Sequence, residues 1–175
     1  MIKQITSALF AALCAAGAAH GHATLEQAQA APGKAYKAVV RIGHGCEGKP
    51  TIRVRVKVPE GLISAKPMPK SGWTVDKIKG AYEKSYNLYG AAVKEGTTEI
   101  AWSGGNLADD EYDEFVFRGT VAKETPTGTR IYVPIVQECT DGAFERWIEI
   151  PTLGKSSDDY ENPAPFFDVV EEPRS

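Results

Sequence analysis

Histidine, cysteine and methionine are scarce in this chain: three, three and two among 175 residues. So few soft and imidazole donors leave no closely spaced set of zinc ligands, and no CxxC pair occurs. No Gly-x-Ser-x-Gly elbow or Cys/His arrangement marks a nucleophile, and no glycine-rich phosphate loop or EF-hand spacing is present. A formal net charge of -3 removes the basic footprint that nucleic acid or an anionic membrane surface would require. Amphipathic helical periodicity is also missing, so helix is expected to be scarce. The paired carboxylates of Asp109-Asp110-Glu111 read first as solvated charges of a loop. No enzyme signature rises above background, and the protein is expected not to be an enzyme.

What is present starts with residues 1–21, read as a signal peptide. Lys3 forms a minimal positive region, and residues 5–19 form a nearly uncharged run rich in Ala and Leu, too short and small-residued to span a bilayer comfortably. Ala19 and Gly21 stand three and one positions before a cut between Gly21 and His22; cleavage after Ala18 or Ala19 is the alternative. Export to the periplasm follows from this reading, with no membrane insertion once the signal is removed. Cys14 leaves with the signal. The remaining pair, Cys46 and Cys139, lies far apart in an oxidising compartment and most simply forms one disulfide. Such a link closes a loop of roughly ninety residues and stabilises by about 4 kcal/mol in the chain-entropy model. A thiolate metal site is the rival reading.

Hydrophobic content of 42% and charged content of 25% suit one domain with a sizeable core. The clearest strand is 51–58, where Ile52, Val54, Val56 and Val58 alternate with Arg53, Arg55 and Lys57, giving one apolar and one wet face. Further strands are expected at 35–42, 73–78, 82–88, 98–102, 114–121, 130–137 and 144–150, with Gly and Pro in most gaps. Seven or eight short strands at this spacing predict an all-β fold, an immunoglobulin-like antiparallel β-sandwich over residues 22–153. Residues 154–175 carry six acids against Lys155 and Arg174 and form an acidic C-terminal extension. Phe166 and Phe167 would let part of it dock as an edge segment; disorder is the other outcome.

A chain starting at His22 has a chemical consequence. Its free α-amine and its own ring Nδ1 close a six-membered chelate ring on one metal ion. An α-amine ordinarily titrates at about 7.7–8 and an imidazole at about 6.5, so both serve as neutral donors around neutrality. Two nitrogens in one plane suit copper(II), which favours tetragonal N,O coordination and tops the divalent affinity order. The bland reading is an incidental histidine at a cleavage point.

His22-Ala-Thr-Leu25 and Gly43-His44-Gly45-Cys46-Glu47-Gly48-Lys49-Pro50-Thr51 resemble the YcnI-like family of exported copper-binding proteins. Val58-Pro59-Glu60-Gly61, Lys66-Pro67-Met68-Pro69-Lys70-Ser71-Gly72-Trp73 and Glu111-Tyr112-Asp113-Glu114-Phe115 do so too, and Cys139, Gly142 and Trp147 complete the pattern. The resemblance covers nearly all of the chain after residue 21. It implies an immunoglobulin-like sandwich and one copper(II) in a single-histidine brace: amine and imidazole from His22, a carboxylate from Glu111, and Trp147 beside the metal, shielding it and attracting it through its ring face. Glu114 competes for the carboxylate role. Trp147 has an ordinary core reading, which Trp73 and Trp102 carry more strongly. His44, in a turn entering a strand, reads as structural before it reads as an extra ligand, and Met68 alone is weak support for copper(I).

The expected function is copper trafficking, buffering or delivery. The partners would be the copper ion and an exported copper chaperone or a copper-transporting membrane protein. The alternatives are a copper-dependent oxidase or monooxygenase, whose brace would need a second histidine, and a non-metal interaction sandwich.

Overall fold

The computed structural model describes residues 21–172; the expected signal segment, with Lys3 and Cys14, therefore lies outside the described residues. Twelve strands and two short 3-10 turns make up the described chain, with no α-helix among its residues. In order they are β1 (Thr24–Leu25), β2 (Gln29–Ala30), β3 (Ala35–Ile42), β4 (Thr51–Lys57), β5 (Leu62–Pro67), β6 (Thr74–Leu88), β7 (Ala91–Leu107), β8 (Asp113–Val121), β9 (Arg130–Tyr132), β10 (Ile135–Cys139), β11 (Phe144–Trp147) and β12 (Phe166–Val169). They form a four-stranded sheet, β1-β3-β8-β5, a five-stranded sheet, β11-β10-β4-β7-β6, and a three-stranded sheet, β2-β12-β9.

Period-two burial joins the two larger sheets. Tyr36, Ala38, Val40 and Ile42 of β3 and Phe115 and Phe117 of β8 turn inward from one. From the other, Val54 and Val56 of β4, Ile100 and Trp102 of β7, and Ile135 of β10 meet them in one core cluster. This is the face-to-face packing expected of a sandwich. Fully buried Trp102 packs edge-to-face on Phe115 within the core, and partly buried Trp73 packs edge-to-face on the same ring from the rim, with ring centroids 5.7 and 4.9 Å away. Trp73 lies so close to Gly105 that a Cβ there would stand 2.1 Å from the indole, so any larger residue would displace the ring.

Several boundaries differ from expectation for local reasons. The expected strands 73–78 and 82–88 are one strand, β6, interrupted by a register shift between Ala81 and Tyr86. Segment 130–137 is two strands, β9 and β10, because Val133-Pro134 intervenes and proline cannot donate to a ladder. In β4 the alternation fails at its first apolar member. A register shift between Thr51 and Arg53 turns Thr51 inward and leaves Ile52 on the surface. Strand β5 escaped the reading because its Lys66-Pro67 end interrupts the apolar pattern.

The C-terminal segment docks. Phe166–Val169 pairs antiparallel with β9 and parallel with β2, and Phe167 and Val169 are fully buried in the main core. Residues beyond 153 thus help close the sandwich.

Candidate metal centre

His22 lies two residues before β1, which pairs with the far end of β3 through Thr24–Arg41 and Leu25–Val40. Ala23, only 4% exposed, anchors the segment, while His22 itself is exposed. The His22 ring packs edge-on against Trp147, the last residue of β11, with centroids 5.6 Å apart and planes at 63°. A second histidine reaches the same indole. His44 lies in the loop after β3, with its ring 6.2 Å from that of Trp147 and inclined by 81°. The structure therefore brings His22, His44 and Trp147 together; from sequence, His44 reads as structural first and as an extra ligand second.

Polar groups buried beneath this corner hold it in shape. Trp147 is 2% exposed, and its Nε1 donates to Gln137 Oε1 at 3.3 Å. The Gln137 amide then donates from Nε2 to the His44 carbonyl and to Thr51 Oγ1, both at 2.7 Å. One buried amide thus ties the indole, the histidine loop and strand β4 into a single satisfied network. Gln137 was missed from sequence, although its inward phase between Ile135 and Cys139 on β10 was a readable signal. A polar residue at a core position needs partners.

The disulfide anticipated from the cysteine count is present between Cys46 and Cys139, 93 residues apart. It fastens the end of β10 to the loop two residues beyond His44. Gly45 between them has no freedom to vary, since a Cβ there would lie 2.0 Å from the Lys49 carbonyl oxygen. Its N–H donates to Asp109 Oδ1 at 3.0 Å. The carboxylate that reaches the histidine loop is thus Asp109, within the acidic triplet read from sequence as solvated charge. Its ability to cap a loop N–H was the available clue.

Glu111, the carboxylate the resemblance assigns to the metal, is exposed in the turn before β8 and accepts from Ala108 N at 3.3 Å. Glu114 is occupied otherwise. It stands 3.7 Å from the Arg41 guanidinium and accepts the Tyr112 hydroxyl. That hydrogen bond, more than burial, raises the Tyr112 pKa. Met68 is half exposed, and its contribution is a backbone one, accepting from Trp102 Nε1.

Among the described residues no three His, Cys, Asp or Glu side chains gather at one metal position. A cation bound here would need the backbone terminus in addition to side chains, which is the donor that cleavage before His22 would create. Two imidazoles beside a buried indole fit a nitrogen-preferring ion such as copper(II) better than a hard, oxygen-seeking one.

Fold and corner together define an antiparallel β-sandwich with two histidines over a tryptophan beside a disulfide-fastened loop. The chain belongs to the family described as domain of unknown function (DUF1775), the YcnI-like domain, whose model matches residues 22–169. Among solved structures it is similar to a protein from Nocardia farcinica described as having an immunoglobulin-like fold. Identity is 21%, covering 85% of this chain and 98% of that one, with a TM-score of 0.63. The immunoglobulin-like sandwich expected from strand spacing is thus the fold. Weaker likenesses are to a cohesin from Acetivibrio cellulolyticus (8% identity, 85% and 97% coverage, TM-score 0.45) and to the Bacillus subtilis sporulation control protein Spo0M (14%, 87% and 51%, 0.39). None of the curated proteins compared with the chain matches it.

Proposed function

We propose that this protein is an exported copper(II)-binding protein that buffers copper or hands it on in the periplasm, with the metal held by the amine and ring of a processed His22. The observation that carries this reading is the packing of the His22 ring on buried Trp147 at the residue where the family match begins. Of the carboxylates in the 108–111 turn, Glu111 is the family-type candidate, and Asp109 is the one bonded to the histidine loop. Exposure of His22 suits transfer, because an incoming partner can reach the ion without unfolding the sandwich. The disulfide agrees with an oxidising compartment. No helix of the described residues is long and apolar enough to cross a membrane. The partner would be an exported copper chaperone or a copper-transporting membrane protein, and no catalysis is assigned.

Copper(II) titration of protein processed to begin at His22 tests this. One equivalent should bind, with nitrogen hyperfine structure in the electron spin resonance spectrum. Protein retaining residues before His22 should lose that signal, because an acylated nitrogen is no longer a basic donor. Equal binding by both forms would defeat the proposal.

The nearness of His44 favours one second reading, a copper-dependent oxidase or monooxygenase. Ascorbate-driven peroxide formation with oxidised glycan products would support it. Their absence, with stoichiometric copper bound, favours carriage.

A further inference from the structure

We propose that His44 is a third nitrogen ligand of the same centre, unmasked by the cleavage that frees the His22 amine; this rests on the copper reading above. With Gly21 still attached, His44 Nε2 lies 2.5 Å from the Gly21 carbonyl oxygen. That oxygen belongs to the peptide bond that cleavage breaks, and it leaves with Gly21. Standard peptide dimensions put His22 N within about 5 Å of His44 Nε2. Two nitrogens on opposite sides of one divalent ion stand roughly 4 Å apart, since each bond is about 2 Å long. The cut therefore removes the partner of Nε2 and creates a basic amine at bridging distance in one step.

The other ring nitrogen is already engaged. His44 Nδ1 faces the Gly45 carbonyl oxygen at 2.5 Å. A ligand imidazole ordinarily donates its remote N–H to a carbonyl or carboxylate in this way, which fixes the tautomer and directs the free lone pair at the metal. The backbone carrying the ring is held on three sides. The His44 carbonyl accepts from buried Gln137, Gly45 N–H is taken by Asp109, and Cys46 is tethered to β10. The His22 and His44 rings approach the same buried indole at 5.6 and 6.2 Å. Three nitrogens thus converge, two from His22 and one from a loop preset before processing.

The test counts imidazoles. Processed protein loaded with one equivalent of copper(II) is examined by pulsed spin resonance, whose remote-nitrogen modulation distinguishes one equatorial imidazole from two. Two are expected in the unaltered protein and one in His44→Ala, with affinity lower by at least the roughly 10- to 100-fold that loss of an outer-shell partner alone costs. His44→Gln, which keeps a polar side chain in the loop, should behave like His44→Ala. A single imidazole in the unaltered protein, or an unchanged spectrum and affinity in both variants, overturns the proposal while leaving the His22 chelate standing. Failure of the processed protein to bind copper at all overturns both. Thermal melts and free-thiol assays show whether each variant is folded and oxidised; should both variants unfold, the imidazole count of the unaltered protein decides alone.

Discussion

The two ends of the five-stranded sheet are built on opposite plans. At the β11 edge, buried Gln137 is hydrogen bonded to both Trp147 and Thr51, and a disulfide joins loop to strand. At the β6 edge, the long β6–β7 hairpin runs out to a tip at Tyr89-Gly90, where Tyr89 is 85% exposed. Both tip residues have positive φ, 53° and 87°, the pairing of a two-residue turn that follows strand twist. Asn87 Oδ1 accepts from Gly90 N–H at 2.9 Å. The turn at the tip is set by local backbone preference, with Asn87 N–H donating to Glu124 Oε1 as its longer-range tie, whereas the opposite edge is fixed by a disulfide and a buried hydrogen-bond network. A site that must hold two rings at fixed spacing belongs on the cross-linked edge, and the histidines are there.

Breaking the cross-link should have the largest effect. Replacing Cys46 and Cys139 together by Ser releases a loop spanning 93 residues, and the chain-entropy model puts the loss at about 4–5 kcal/mol. Chemical denaturation should show that loss, and copper affinity should fall with it. Unchanged affinity in the folded double variant would mean that the loop is held by Gln137 and Asp109 alone. Next comes Gln137→Leu, which keeps the bulk and leaves the Trp147 N–H and the His44 carbonyl without partners. A cost of about 1–3 kcal/mol is expected, with a changed near-ultraviolet tryptophan signal that a merely weakened fold would not give before unfolding.

The same contrast separates what was legible in the sequence from what was not. Alternation of apolar and charged residues announced β4, whose Val54 and Val56 are buried while Arg53, Arg55 and Lys57 lie on the wetter face; β3 and β8 carry buried residues on both faces, Val39 and Val116 among them, so their pattern is blurred. The cysteine pair was readable by count. The family resemblance puts Trp147 beside the metal; the structure packs it against the His22 ring. What could not be read was convergence. His44 and Gln137 are 93 residues apart in the chain, and nothing local to Gly-His-Gly-Cys tells which sheet edge it will meet. Asp109 and Glu111 differ by two positions in an irregular turn, where no period assigns either to a face. Ile52 was misjudged because a bulge reverses facing without leaving a mark in the pattern.

At the hairpin tip, substitution should be felt only locally. A Cβ on Gly90 would meet nothing within 4 Å, so Gly90→Ala is penalised through its positive φ alone. About 1 kcal/mol is expected, visible as faster amide exchange at residues 86–93 with little change in melting temperature. A global loss much above that would mean the tip is coupled to the core, as the β11 edge is.

The smallest effect concerns the three-stranded sheet that closes the sandwich. Arg130 donates from Nε and Nη2 to the two carboxylate oxygens of Asp168, at 2.8 and 3.1 Å, and its guanidinium lies 3.8 Å from the centre of the Phe166 ring. The hydrogen bonds from Arg130 hold the Asp168 pKa below its ordinary value of 3.8. A depressed carboxylate stabilises the fold above its unfolded pKa, and that contribution disappears as pH falls through the folded value. Both side chains are more than a third exposed, so solvent screening limits the pair to about 1 kcal/mol or less. Asp168→Asn should therefore melt slightly below the unaltered protein at neutral pH, and the gap should close below pH 3.8 as Asp168 itself becomes neutral. A gap persisting in acid would assign the docking of Phe166–Val169 to the stacking of Arg130 on Phe166 and the burial of Phe167, with the ion pair a bystander.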